Sequence, residues 1–177
     1  MNSKRIIIFF IFLGAFAAAY QIGSFSEVND EEAKKFIEEF EELVKDIDSV
    51  GIFVHNTTIA LPMFIPGFGV AWGLFSAWST GYAFASIVSI TPELSGIPPL
   101  ALLFLTPFGI MELVAYSIGI SRSFILIRMI AKKISIKPAL KGTVIEIGIM
   151  IGLLLAGGFI EHHMISLVQE SGLVPQF

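Results

Sequence analysis

Residues 49–92 read SVGIFVHNTTIALPMFIPGFGVAWGLFSAWSTGYAFASIVSITP, 44 consecutive positions without Lys, Arg, Asp or Glu. A helix that crosses a bilayer needs about 20 predominantly apolar residues. The stretch is too long for one crossing and long enough for two. Its strongest turn signal is Pro66-Gly67, within Ile65-Pro66-Gly67-Phe68-Gly69, and the break is expected there. The first piece, 50–65, extends about 24 Å at 1.5 Å per residue, short of a hydrocarbon core of about 30 Å. It is expected to cross as a tilted short span or to form one limb of a re-entrant hairpin. Both arrangements return the chain to the side it left.

Working outward, three more apolar runs reach membrane length or near it: 6–22, 97–120 and 143–160. With 50–65 and 69–91 they predict one membrane domain over 1–177. Its fold class is all-α, a polytopic helical bundle of about five membrane segments. Composition agrees: 55% of residues are hydrophobic and 15% charged, against about 45–50% and about 25% for a soluble domain. A disordered tail, a disulfide-stapled secreted scaffold and an ordinary water-soluble enzyme domain are excluded on these figures and on the absence of Cys.

Charge is arranged in blocks. Lys4 and Arg5 open the chain, and six bases without an acid follow the fourth segment: Arg122, Arg128, Lys132, Lys133, Lys137 and Lys141. Between residues 27 and 48, ten acids stand against Lys34, Lys35 and Lys45, a net −7. Basic loops favour the cytoplasmic face. The expected protein is multi-pass in the cell membrane, with the N-terminus cytoplasmic, 24–49 extracytoplasmic and the C-terminus extracytoplasmic. Lys4-Arg5, the apolar run and Ala17-Ala18-Ala19 also fit a cleavable secretory signal. The sequence leaves anchor and signal both open.

Within 29–50, Ala33, Phe36, Ile37, Phe40, Leu43, Val44, Ile47 and Val50 repeat at three and four, the stripe of an amphipathic helix. Asn29 and Glu32 form its N-cap signature. This extracytoplasmic helix is expected to lie over the spans with a solvated acidic face, and otherwise to serve as a docking surface. Gly69, Gly73, Ala77, Gly81 and Ala85 recur every four residues in the third segment, as do Gly148, Gly152 and Ala156 in the last. Such rows let helix backbones approach closely. They are read as packing faces, within one chain or between two copies.

Among the ionisable groups, Glu112 lies near the middle of the 97–120 segment, where a charge is costly and functional by default. Pro107 and Gly109 just before it are expected to break the helix, placing Glu112 near a new helix N-terminus. Glu146, three residues after Thr143, reads as a capping box. His55 and Asn56 are placed near the extracytoplasmic end of the second segment, about 15 Å in depth from Glu112. Glu161, His162 and His163 lack the spacing of a metal site, so no metal and no cofactor is expected. Neither a Gly-rich phosphate loop, nor Ser-His-Asp order, nor HExxH occurs. The basic run fits topology and anionic lipid rather than nucleic acid.

Phe53-Val54-His55-Asn56, then Gly67-Phe68-Gly69, Ser79-Thr80-Gly81 and above all Thr106-Pro107-Phe108-Gly109-Ile110-Met111-Glu112-Leu113 together resemble the stage II sporulation protein M family. Asn56, Gly81, Pro107, Gly109 and Glu112 match that pattern. Phe108 stands where the family commonly has His, and Thr80 where it commonly has Asn. The resemblance implies an integral membrane protein. It also implies a role like that of the founding member, a scaffold that gathers peptidoglycan-degrading enzymes during engulfment, although relatives occur in organisms that never sporulate. The leading expectation is a non-enzymatic membrane scaffold or assembly protein with a membrane or extracytoplasmic protein partner, or a second copy of itself. The alternative is a small transporter or channel with a site around Glu112, and an intramembrane hydrolase ranks third.

Overall fold

The computed structural model describes residues 3–44 and 47–170, and the secondary structure among them is all helical. Seven α-helices follow in order: α1 Ser3–Ser24, α2 Asp30–Val44, α3 Ser49–Ala60, α4 Phe68–Ile90, α5 Pro99–Leu105, α6 Pro107–Ala131 and α7 Lys137–Glu170. Three of them, α1, α6 and α7 up to Leu167, are long and apolar enough to cross a membrane.

The centre of the bundle is α6. From Ala115 to Ser123 every residue is buried, so this helix is enclosed on all sides, whereas α1 and α7 each bury one face. Polar groups are tolerated in that core because they bond locally. Ser117 donates to the Leu113 carbonyl at 2.6 Å and Ser121 to the Ser117 carbonyl at 2.5 Å. Each hydroxyl thereby satisfies itself on the preceding turn. Phe16, Tyr20, Met63, Leu113, Ile120, Met150 and Leu154 fill the space between helices.

The uncharged stretch forms a hairpin. α3 tightens into a 3-10 turn, Leu61–Phe64, at Pro62. Gly67 then adopts a positive φ of 79° and starts α4, a backbone conformation that a side chain disfavours. The bend is pinned from three sides. The Ser123 hydroxyl of α6 donates to the Ile65 carbonyl at 2.6 Å, the Gly69 amide donates to the same carbonyl at 2.9 Å, and Trp72 Nε1 donates to the Ile59 carbonyl at 2.9 Å.

The small row on α4 is consumed inside the chain. A Cβ on Gly69 would overlap the Met63 backbone, on Gly73 the Ile120 side chain, and on Gly81 the Tyr20 carbonyl of α1. Ala77 is fully buried. On α7 the outcome differs: Gly148 and Gly152 have open space where a side chain would be, and Ala156 is exposed. The packing glycines of α7 are instead Gly157, beside Met111, and Gly158, against the Ser49 carbonyl and the Phe53 amide of α3.

Three expected boundaries shift. The amphipathic helix expected over 29–50 is two helices, because Asp48 accepts the Gly51 amide at 2.7 Å and caps a new helix at Ser49, so Val50 belongs to α3. Lys45, Asp46 and the side chains of Phe40, Leu43 and Val44 lie outside what the structure describes. The start of α2 is capped by Asn29, whose Oδ1 accepts the Glu32 amide at 2.9 Å, and Phe36 meets Tyr82 of α4 edge-on at 6.1 Å. The 97–120 segment breaks at Pro107 into α5 and α6, as the Pro107-Gly109 signal predicts, but α6 continues past 120 to Ala131. Arg122 and Arg128 are accordingly helical residues of α6, and Lys137 and Lys141 belong to α7. The connection between these helices is short because Lys133 takes a left-handed φ of 57°. The Lys133 amide donates to the Ile130 carbonyl and the Ile134 amide to the Met129 carbonyl, both at 2.9 Å, the two bonds of a Schellman cap.

Candidate functional site

Glu112 and Asn56 meet directly. Asn56 Nδ2 donates to Glu112 Oε1 at 2.5 Å, so the depth expected to separate them is absent. The reason is the break at Thr106-Pro107. Pro107 occupies the first turn of α6, where a missing amide hydrogen costs nothing. The Thr106 hydroxyl accepts the Gly109 amide at 3.1 Å and donates to the Leu102 carbonyl at 2.6 Å. Gly109 is required because a Cβ there would strike the Leu102 carbonyl of α5. Glu112 thus lies in the second turn of a new helix, level with Asn56 in the second half of α3. Thr106 caps that helix start, and the polar partner of the carboxylate is the Asn56 amide.

Tyr116 stands one turn along α6 from Glu112, and Glu161 lies on α7 one turn beyond Gly157, which packs beside Met111. Tyr116 is 8% exposed. Among the described residues, Glu161 Oε2 and the Thr57 hydroxyl are enclosed without a hydrogen-bond partner. Among the described residues, no Lys, Arg or His stands at ion-pair distance from Glu112 or Glu161.

The remaining candidates lie elsewhere. His55 is exposed on α3. Gly81 lies against α1. His162 is half-buried and His163 exposed, and among the described residues no three His, Asp or Glu side chains are grouped to hold a metal ion.

At the opposite end of the bundle a second polar centre joins three helices. Glu146 of α7 receives Arg122 of α6 through Nε to Oε2 at 2.7 Å and Nη2 to Oε1 at 2.5 Å. Arg5 of α1 donates from Nε to Glu146 Oε1, and from Nη1 to the Ser121 hydroxyl, each at 2.8 Å. The capping-box reading of Glu146 is thereby corrected: α7 begins at Lys137, so Thr143 and Glu146 are interior. Thr143 bonds back to the Ala139 carbonyl at 3.0 Å, and Glu146 serves as a counter-ion. Sequence reading assigned Arg5 and Arg122 to topology alone. The signal it passed over is that Glu146 is the one carboxylate in the last span that lies near the basic end of the chain.

The family model for Stage II sporulation protein M matches residues 6–163, from the start of α1 to the last third of α7. The chain belongs to the stage II sporulation protein M family. No curated protein and no solved structure matches it. The matched span contains both polar centres, Asn56–Glu112 and, but for Arg5 at its edge, Arg5–Arg122–Glu146.

Proposed function

We propose that this family member is a non-enzymatic integral membrane assembly protein, anchored in the cell membrane and binding partner proteins through faces its own fold leaves open. The observation that carries the reading is the contrast between two small-residue rows. That of α4 is occupied by Met63, Ile120 and α1, whereas Gly148, Gly152 and Ala156 of α7 face outward with room for another helix backbone. In this reading the bundle crosses the membrane with five segments: α1, the α3 limb, α4, α5 with α6, and α7. The arginine centre and the Lys132, Lys133, Lys137 and Lys141 run face the cytoplasm, and α2 lies extracytoplasmic with its acidic side solvated.

The chain has no Cys, so single cysteines report cleanly. A Gly152→Cys variant is expected to cross-link in native membranes, either to a partner or to a second copy. A Gly152→Cys chain that forms no adduct while the folded protein is present defeats the docking reading. Topology is checked by a membrane-impermeant maleimide. Glu31→Cys is expected to label in intact cells and Lys133→Cys only after permeabilisation.

A second reading, a small transporter or channel with its site around Glu112, is favoured by one observation. Glu112 is a half-buried carboxylate with no basic partner among the described residues, and it lies beside a helix break, the kind of backbone that lines ion sites. Flux in liposomes that is unchanged by Glu112→Gln removes this carboxylate from any transport pathway.

A further inference from the structure

Glu146 is shared by two guanidinium groups, so the centre where α1, α6 and α7 meet carries one positive charge more than it neutralises. The donors of the two arginines are not equally spent. Arg5 engages all three nitrogens, Nε on Glu146, Nη1 on the Ser121 hydroxyl and Nη2 on the Ile118 carbonyl at 3.4 Å. Arg122 engages Nε and Nη2 on Glu146, while its Nη1 has no hydrogen-bond partner among the described residues. Arg122 is only 8% exposed. A charge so enclosed is unfavourable without a counter-charge, and Glu146 supplies one for two. The surplus at this centre calls for an anion that the chain does not provide.

The packing leaves room for one. The residue over the Arg122 guanidinium is Gly142 of α7, where a Cβ would stand 3.3 Å from Nη2 and 3.9 Å from both Cζ and Nη1. A longer side chain would cover the free edge of the guanidinium, whereas glycine leaves it open. Lys141 precedes Gly142 and Lys4 precedes Arg5, and both lysines are exposed. Over residues 1–5 and 121–146, eight bases stand against Glu146 alone. Depth selects the class of anion. Arg5, Arg122 and Lys141 each lie within two residues of the end of an apolar run, those of 6–22, 97–120 and 143–160. That is the level of lipid phosphates when the runs fill the hydrocarbon. Val144 and Ile145, next along α7, are exposed and offer an acyl chain an apolar surface.

We propose that Arg122, opened by Gly142 and flanked by Lys141 and Lys4, binds the phosphate of an anionic lipid headgroup. A phosphodiester oxygen accepts from Arg122 Nη1, since a guanidinium edge matches phosphate geometry. The lysine ammonium groups add charge from the rim, as basic clusters beside a span do toward anionic lipid. The fork on Glu146 stays intact, because Nη1 takes no part in it. The site rests on the proposed membrane placement of the basic end and not on docking at α7. Maleimide labelling of Lys133→Cys tests that placement apart from lipid binding.

The test uses the purified full chain in detergent. Its melting temperature is measured with phosphatidylglycerol, phosphatidylcholine or inorganic phosphate added at equal ionic strength. Phosphatidylglycerol is expected to raise the midpoint by about 3–5 °C at a tenfold excess over its dissociation constant. Phosphatidylcholine, whose phosphate carries its own cationic group, and inorganic phosphate are expected to leave it nearly unchanged. Arg122→Lys removes Nη1 and Lys141→Gln removes a rim charge, and each is expected to reduce the rise. Equal rises with the two lipids overturn the site, because they report solvation by any lipid. A rise with inorganic phosphate as large as that with phosphatidylglycerol overturns the lipid in favour of a free anion. No rise with phosphatidylglycerol, or an undiminished rise in either variant, overturns the site as well. Lys141 is exposed and outside the fork, so Lys141→Gln keeps the test decisive where Arg122→Lys fails to fold.

Discussion

Arg122 and Glu146, 24 residues apart in sequence, close a two-bond fork, with Nε on Oε2 at 2.7 Å and Nη2 on Oε1 at 2.5 Å. Arg5 joins the same carboxylate from α1, so a single acid ties three helices at one end of the bundle. A guanidinium suits this because its planar fork matches both oxygens and stays charged when buried. A Cβ on Gly142, one turn before Glu146, would stand 3.3 Å from Arg122 Nη2 and press on the fork.

Removing one partner leaves a charge buried alone. Arg122→Ala is expected to lower unfolding stability by about 3 kcal/mol, because breaking a buried pair exposes the survivor's desolvation cost. Arg122→Lys restores charge but not the fork, and is expected to recover part of that loss. Denaturant unfolding in detergent checks both. Equal midpoints for the unmodified protein and Arg122→Ala would show that the fork contributes nothing.

The first helix is expected to remain in the mature protein. Phe16 and Tyr20 are buried at 4% and 2% exposure, Tyr20 donates to the Pro99 carbonyl at 3.1 Å, and Arg5 holds Glu146. Cleavage near Ala17-Ala18-Ala19 would remove Arg5 and Phe16 and cut the chain beside Tyr20. A protein tagged at both ends is expected to run as one band carrying both tags, whereas loss of the N-terminal tag at the membrane reports signal cleavage.

Glycines of identical spacing are expected to respond differently. Gly81→Val drives a Cβ into the Tyr20 carbonyl, and overpacking of this kind costs about 1–3 kcal/mol or more. Gly152→Leu meets open space and is expected to leave the isolated chain within about 0.5 kcal/mol of its original stability. Thermal unfolding of the two variants, measured side by side, checks the contrast.

Lys133 carries a side chain in a left-handed conformation at the end of α6. Lys133→Gly is expected to raise stability by about 0.5–1 kcal/mol, since glycine takes that conformation without steric cost. A fall in melting temperature would instead show that the lysine side chain holds the turn.

Much of the architecture was legible in the chain itself. The Pro66-Gly67 turn, the Pro107-Gly109 break and the Asn29 cap are local signals, each depending on a few neighbouring residues, and hydropathy marked α1, α6 and α7. Local signals also misled. Hydropathy ended the fourth segment at 120, whereas α6 runs on to Ala131, and the stripe through Val50 hid the Asp48 cap, because periodicity continues across a cap that a single hydrogen bond decides. Glu112 was singled out for its depth, and Asn56 for its motif. That they bond follows from where Pro107 starts α6 relative to α3.

Sequence alone determined the helical class, the apolar spans and the blocks of charge, since these follow from composition and from periods of three to four residues. Tertiary structure decided which partner each polar side chain meets. It gave Glu146 two arginines from helices remote in sequence, and gave Glu112 the Asn56 amide of α3. It closed the small-residue face of α4 and opened that of α7. The difference is physical. Helix formation is a local balance of backbone bonding and propensity, whereas the pairing of buried charges depends on distances of a few ångströms between segments up to 141 residues apart, as Arg5 and Glu146 are, which no local pattern encodes.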